Sequence, residues 1–274
     1  MADEHGEPVV DLQLDRAHSA RIYDYMLGGK TNFLADRTAA GSVLAVFPAA
    51  LVAARINREF THRSTRDLAR AGLRQFLDIG TGIPTPPNLH EIAQGIAPDA
   101  RVVYTDNDPI VLAHAAALLR STPQGRTAYL QADVTDPGAI ITAPQVLATL
   151  DLSLPVALSL NALMHFVPDG EGGRAHEVVE ELKAALPSGS ALAMSHATAD
   201  FSPEAMARIS DIYAAAGTTV TYRTKAEFAR FFDGWELWRP GITLPHQWRP
   251  DDPRDATHVT DAEAACYAAV ARKP

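Results

Sequence analysis

"FLDIGTGIPTPPN", residues 76–88, is the stretch on which the fold turns. Phe76, Leu77 and Ile79 make a short apolar run, Asp78 lies at its end, and Gly80 and Gly82 follow at once. A run of this kind handing over to side-chain-free backbone marks the carboxyl end of a strand. Pro86 and Pro87 suit the first turn of a following helix, with Thr85 as its cap. A dinucleotide fingerprint, G-x-G-x-x-G, requires glycine where Thr85 stands. The two prolines also remove N–H donors that a pyrophosphate would use at the helix start. The turn therefore reads as strand–glycine turn–helix without the nicotinamide signature.

Outward from this turn the same grammar repeats. "RVVYTDND", "TAYLQADV", "PVALSLNAL" and "SALAMSHAT" read as strands, with "WELWRPGI" and "ACYAAVARK" after them. Helical segments lie between, among them "PIVLAHAAALLR", "GRAHEVVEELKAAL" and residues 203–216 and 224–232. Alternation predicts βαβ units, a mainly parallel sheet and right-handed crossovers. Strands that are nearly all apolar predict helices on both faces. Upstream the pattern is helical: Ser19 is a candidate cap, Gly28-Gly29 a stop, and Leu51, Ile56, Phe60 and Leu68 share one side of a helix over 49–71. The expected division is a helical extension or lid over 16–71 and one α/β unit over 72–274, with residues 1–15 a loosely attached arm.

Ligands of open α/β sheets sit beyond the carboxyl ends of the strands, so the residues there carry the functional reading. Asp106 ends the second strand about twenty residues after Gly82, the spacing of a ribose-binding acid. Asp108 reads as the cap of the next helix, whose Pro109 suits its first position, and Asp136 as the cap of another. Asp133 and Val134 stand at the third strand end, where a carboxylate and an N–H match an adenine amino group and ring nitrogen.

Together Asp78, Gly80, Gly82, Asp106, Asp133 and Val134 resemble the binding turns of class I S-adenosylmethionine (SAM)-dependent methyltransferases. "RIYDYMLGGKTNFLADR", "FLDIGTGIPTPPNLHEIAQ", "VVYTDNDPIVLAHAAALL" and "VALSLNALMHFVPD" are similar to a narrower, largely actinobacterial S-adenosyl methyltransferase-like family of unassigned function. The resemblance implies a Rossmann-like class I methyltransferase fold with SAM as cofactor; it supplies no substrate, and the expected function is methyl transfer to an unidentified small-molecule acceptor. Asn107 and Asn161 are then cofactor contacts and Met164 lines the pocket. Displacement at a sulfonium carbon needs alignment more than a fixed catalytic residue. Where the nucleophile is a hydroxyl, histidine is the usual base, and His165 and His196 after the fourth and fifth strands are the candidates. His18, His62 and His90 are expected to face solvent. The alternatives are a non-catalytic SAM-binding regulator and, with less support, an NAD(P)-dependent oxidoreductase.

Composition narrows the rest. A net charge of −9 argues against a nucleic-acid partner. Arg55, Arg58, His62, Arg63, Arg66, Arg70 and Arg74 read as a solvated helix face. The single cysteine, Cys266, suits a core strand and a reducing, cytoplasmic setting. No run approaches the length of a membrane span, and no histidine spacing suggests a metal. Gly29-Lys30-Thr31 imitates the end of a phosphate-binding loop, but Asp24 occupies the position of its first glycine. This bend is expected to form a lid over SAM, with Tyr23 or Phe33 facing the sulfonium and Lys30 or Asn32 holding the SAM carboxylate or the acceptor.

Overall fold

The computed structural model describes residues 12–118, 120–170 and 174–274. Most of the expected arm, residues 1–11, lies outside the described residues. Seven strands form one sheet: β1 (Gln75–Ile79), β2 (Arg101–Asp106), β3 (Arg126–Gln131), β4 (Ala157–Asn161), β5 (Ala191–Ala197), β6 (Glu236–Leu237) and β7 (Cys266–Arg272). Their order is β3-β2-β1-β4-β5-β7-β6, parallel through β5, with β7 antiparallel to both of its neighbours. The strand order reverses between β1 and β4, which opens a crevice at their carboxyl ends. "WELWRPGI" supplies only the two residues of β6, because Pro240 removes a ladder donor and a turn over 238–241 leaves the sheet.

The helices are α1 (Ser19–Met26), α2 (Leu34–Val46), α3 (Ala50–Arg70), α4 (Leu89–Ile96), α5 (Pro109–Leu118), α6 (Pro137–Thr142), α7 (Pro144–Thr149), α8 (Ala175–Ala184), α9 (Pro203–Ala215), α10 (Lys225–Ala229) and α11 (Asp261–Ala264). Alternate strand residues feed two cores. Leu77, Leu158 and Leu192 pack with Val178 and Leu182 of α8. Phe76, Ala157 and Ala191 pack with Phe60 and Leu68 of α3 and with Leu89 and Ala93 of α4. Of the leading helices, α3 therefore shares the core of the sheet, while Val43 of α2 packs with Met206 and Ile209 of α9.

Several local expectations are corrected. The helix after the glycine turn starts beyond both prolines, which disfavour helical backbone in the residue before each. Its cap is Asn88, not Thr85, in a capping box with Glu91. His18 rather than Ser19 caps α1, its Nδ1 accepting from the Ala20 N–H at 3.2 Å. His90 is buried because that face of α4 meets β2, and its ring nitrogen Nδ1 lies 2.9 Å from the Tyr104 hydroxyl. Leu51 is exposed, while Arg63 is buried and donates to the Trp248 and Pro245 carbonyls at 3.0 and 2.7 Å. The arginine-rich face of α3 is thus part docking surface. Among the described residues no single helix is long and apolar enough to cross a membrane; α2 and α3 meet that test only jointly, across a 106° bend.

Candidate active site

A cavity of about 240 Å³ lies beyond the carboxyl ends of β1, β2, β4 and β5, beneath α1, α2 and α3. Its floor is the glycine turn. The Gly80 and Thr81 N–H groups donate to the Thr105 carbonyl at 2.8 and 3.2 Å, which curls the turn over β2. Both glycines need left-handed backbone, φ +72° and +69°. A Cβ on Gly80 would collide with Leu163 at 2.7 Å, whereas a Cβ on Gly82 would stand in open space. The absence of side chain at Gly82 is what leaves the cradle open.

Asp106 is buried at the same edge. Its Oδ2 accepts from the Gly82 N–H at 2.8 Å and its Oδ1 from the Asp108 N–H at 3.0 Å. An ionised carboxylate has about four acceptor sites, so two remain for a ligand. Burial raises its pKa, and the two backbone donors oppose that shift. Burial likewise raises Asp78, which lines the cavity. Asn161 donates to the Ser159 hydroxyl at 2.9 Å, while its Oδ1 is buried without a partner. Asn107 and Val134 also line the cavity. Asp133 does not: it is exposed, and it accepts from the Thr135 N–H at 2.8 Å, the Thr135 hydroxyl at 2.7 Å and Asn107 at 3.1 Å. A short acid beside a threonine two residues on closes a local turn in preference to reaching inward. Burial would raise its pKa, but these donors bring it below the usual range.

The roof is held from α1 and α3. Tyr23 lines it, donating to the Ala54 carbonyl and accepting from Asn57, both at 2.9 Å. Burial pushes this phenol up to about 12, so it stays protonated. The other lid candidates lie elsewhere. Lys30 is exposed and does not line the cavity. Asn32 is buried against Asp24 at 2.7 Å and the Gly29 carbonyl at 3.0 Å, locking the bend. Phe33 packs on Ile83, Ile110 and Val111, with the Arg21 guanidinium 5.6 Å from its ring. Met164 is a core residue. The glycine pair and aromatics therefore form a riveted corner of the roof, with Tyr23 alone turned to the cavity.

The two histidines separate. His165 lines the cavity, and its Nδ1 accepts from the Ala197 N–H at 3.4 Å. Burial, assisted by the Arg223 cation, lowers its pKa to about 3. It is neutral at pH 7, with its proton on Nε2. His196 is fully buried and does not line the cavity. Its Nε2 lies 2.7 Å from Arg223 Nη1 and its Nδ1 2.7 Å from the Ala197 carbonyl. Arginine is always a donor, so Nε2 accepts and Nδ1 carries the proton. His196 is a structural link, out of reach of any substrate, because its strand face points into the core.

The far half of the cavity was not foreseen. Val43 from α2 and Phe47 just after it, Met206, Ile209 and Tyr213 from α9, and Phe166 and Tyr222 line it. In sequence these read as ordinary core positions, since an apolar chamber wall and an apolar core have the same pattern. His18 and Cys266 also reach the cavity, and burial pushes the Cys266 thiol up to about 12. Among the described residues no group of three or more His, Cys, Asp or Glu is placed to hold a metal ion.

A family model described as S-adenosyl methyltransferase matches residues 5–274. The chain is 51% identical to a DUF574 family protein from Streptomyces avermitilis MA-4680, with a TM-score of 0.93 over 96% of this chain and 100% of that one. It is 39% identical to a candidate methyltransferase from Thermobifida fusca YX, with a TM-score of 0.87 over 96% and 97% of the two chains. The plantazolicin methyltransferase BpumL, solved in complex with SAH, shares the fold alone at 12% identity, with a TM-score of 0.52 over 93% and 95%. No curated protein matches the chain. With a match that spans nearly its whole length, the protein belongs to the S-adenosyl methyltransferase family.

Proposed function

We propose that this SAM-dependent methyltransferase transfers its methyl group to a small-molecule acceptor held in the apolar half of the cavity. The observation that carries this reading is the continuity of one cavity, from an acidic, glycine-turn floor to a chamber walled by Val43, Phe47, Met206 and Ile209. Residues 16–71 act as the lid and residues 72–274 as the unit beneath it. The single buried cysteine supports a reducing, cytoplasmic setting.

The residues present fit SAM. Two free acceptor sites on Asp106 match the ribose hydroxyls, and the open face of Gly82 admits a ligand backbone-close. The unpartnered Asn161 Oδ1 takes a donor such as the SAM amino group. Val134 borders the adenine, with Asn107 at its edge; Asp133 joins only by giving up contacts with Thr135. Bound SAM supplies an electrophilic methyl on a sulfonium. The protein's part is to align an acceptor with it and to exclude water, which lowers such barriers by as much as ~7–11 kcal/mol. Neutral His165, at the junction of the two halves, orients the acceptor through its Nε2–H.

Calorimetry with SAM and with SAH tests the reading. Binding of both is expected, and Asp106→Ala should weaken it at least about tenfold, since each charge-assisted hydrogen bond contributes roughly 1.5–3 kcal/mol. Wild-type protein that gives no heat with either compound would overturn it.

A further inference from the structure

We infer that the acceptor is an apolar molecule with an acidic hydroxyl, a phenol or an enol, bound as its oxyanion by the hydroxyls of Tyr213 and Tyr222 and the Nε2–H of His165. The inference rests on the methyl-transfer reading above and concerns the half of the cavity which that reading leaves chemically undefined.

Three observations carry it. First, the chamber is apolar apart from a few polar atoms, and among the residues that line the whole cavity only Asp78 and Asp106 are acidic, both at the strand-end floor. An acceptor in the chamber meets no carboxylate. Second, Tyr213 and Tyr222 both line the chamber, and neither hydroxyl hydrogen-bonds to another described residue. Both belong to the wall of one cavity, so a single ligand can meet both. Donors left open on an otherwise apolar wall mark a place for a polar ligand atom. Third, His165 accepts from Ala197 on Nδ1 and presents Nε2–H, and it lines the same cavity. Burial holds the Tyr213 phenol near 12 and His165 near 3, so both donors keep their protons at neutral pH.

Such a site provides donors but no strong base. An aliphatic alcohol would need deprotonation that nothing here performs, and an ammonium would find no carboxylate on the chamber wall. A phenol or enol ionises unaided. Its proton leaves to solvent, the oxyanion's electron pair forms the O–C bond, and the S–C bond breaks with its pair returning to sulfur. The products are a methyl ether and SAH.

The test uses 4-nitrophenol, whose anion and neutral form differ in visible absorbance, titrated with pH in the presence of protein saturated with SAH. The ionisation midpoint of the bound probe should fall by about one pH unit, a tenfold preference for the anion. Tyr213→Phe and Tyr222→Phe should each recover part of that shift while SAH binding, followed by calorimetry, stays unchanged. A bound probe with an unshifted or raised midpoint, an unaltered shift in both tyrosine variants, or no probe binding to the SAH complex would each overturn the inference and leave the methyltransferase reading standing. Failure of SAH itself to bind would remove both.

Discussion

Replacing Arg21 with Met isolates what fastens the proposed lid. Arg21 and the Asp108 side chain are 2% and 0% exposed, and they meet through two parallel bonds, Nε–Oδ2 at 2.7 Å and Nη2–Oδ1 at 2.9 Å. The same guanidinium donates to the Gln13 and Leu12 carbonyls at 3.1 and 2.8 Å. Breaking a buried pair from one side leaves an uncompensated charge and costs about 3–5 kcal/mol. Asp108 keeps the Ile110 N–H at 2.9 Å, which places the expected loss toward the lower end of that range. Urea denaturation at pH 7 should therefore show Arg21→Met destabilised by ~3 kcal/mol. Arg55→Ala, which breaks an exposed pair with Glu59 at 3.9 Å, should stay within ~0.5 kcal/mol. Adding Asp108→Asn to Arg21→Met should recover at least ~1 kcal/mol relative to the sum of the single changes, because the bare charge is gone. The pH dependence has a definite sign. Burial would raise the Asp108 pKa, but Arg21 and the backbone donors hold it below the usual carboxylate range. Its contribution is present above the unfolded value of about 3.9 and is lost as pH falls through the folded value. In Arg21→Met the bare carboxylate takes up a proton more readily, so the deficit should narrow in acid. A variant within 1 kcal/mol of wild type at pH 7 would refute the reasoning.

The buried histidines predict acid sensitivity: His165 has its pKa lowered to about 3 and His62 to about 4, so both take up a proton chiefly on unfolding. Stability should fall as pH drops below about 6.5, by ~2 kcal/mol at pH 5 for His165 and less for the partly exposed His62. Asp78 and Asp106, raised by burial, take up protons more readily when folded and oppose this at lower pH. Urea midpoints at pH 7 and 5 check it, and an identical acid loss in His165→Gln would refute the assignment. Gly29→Ala should cost ~2–4 kcal/mol, since its Cβ would collide with the Asp24 carboxylate that holds the Thr31 N–H at 2.9 Å and Asn32 at 2.7 Å. Thermal unfolding of Gly28→Ala against Gly29→Ala separates backbone strain from collision, because a Cβ on Gly28 meets nothing within 4 Å.

What sequence made legible was local. Strand ends carry short-range signals: apolar runs, a glycine turn, an acid at a fixed distance. Asp78, Gly80, Gly82 and Asp106 accordingly come together at one edge, as parallel register requires once β1 pairs with β2 from Gln75↔Arg101. The roof depended on long-range packing. Lys30, Asn32 and Phe33 share a suggestive phrase, yet their directions are set by Asp24, Asp36 and the Ile83–Ile110 patch. Asp36 shows the point: it accepts from both the Phe33 N–H at 2.8 Å and the His18 N–H at 2.9 Å, tying the starts of α1 and α2 together. The chamber wall was hidden because an apolar residue facing a void and one facing a neighbour are written alike.

Asp106, Asn107 and Asp108 take three separate tasks from three adjacent positions. Asp106 turns to the cavity, Asn107 donates to Asp133 at 3.1 Å, and Asp108 caps α5 while binding Arg21. Capping was readable from its neighbours, but the pair with Arg21, 87 positions away, was not. The division has an electrostatic consequence. Two carboxylates two residues apart would repel, and each would raise the other's pKa. Arg21 neutralises Asp108, leaving Asp106 free to stay ionised as the proposed ribose acceptor. On the proposed reading, lid attachment and cofactor affinity are therefore coupled through one guanidinium. In Arg21→Met, Asp106 should hold its proton to higher pH, so SAM affinity should fall more steeply below pH 6 than at pH 8. A loss of affinity equal at both pH values would show that Arg21 acts on the lid alone.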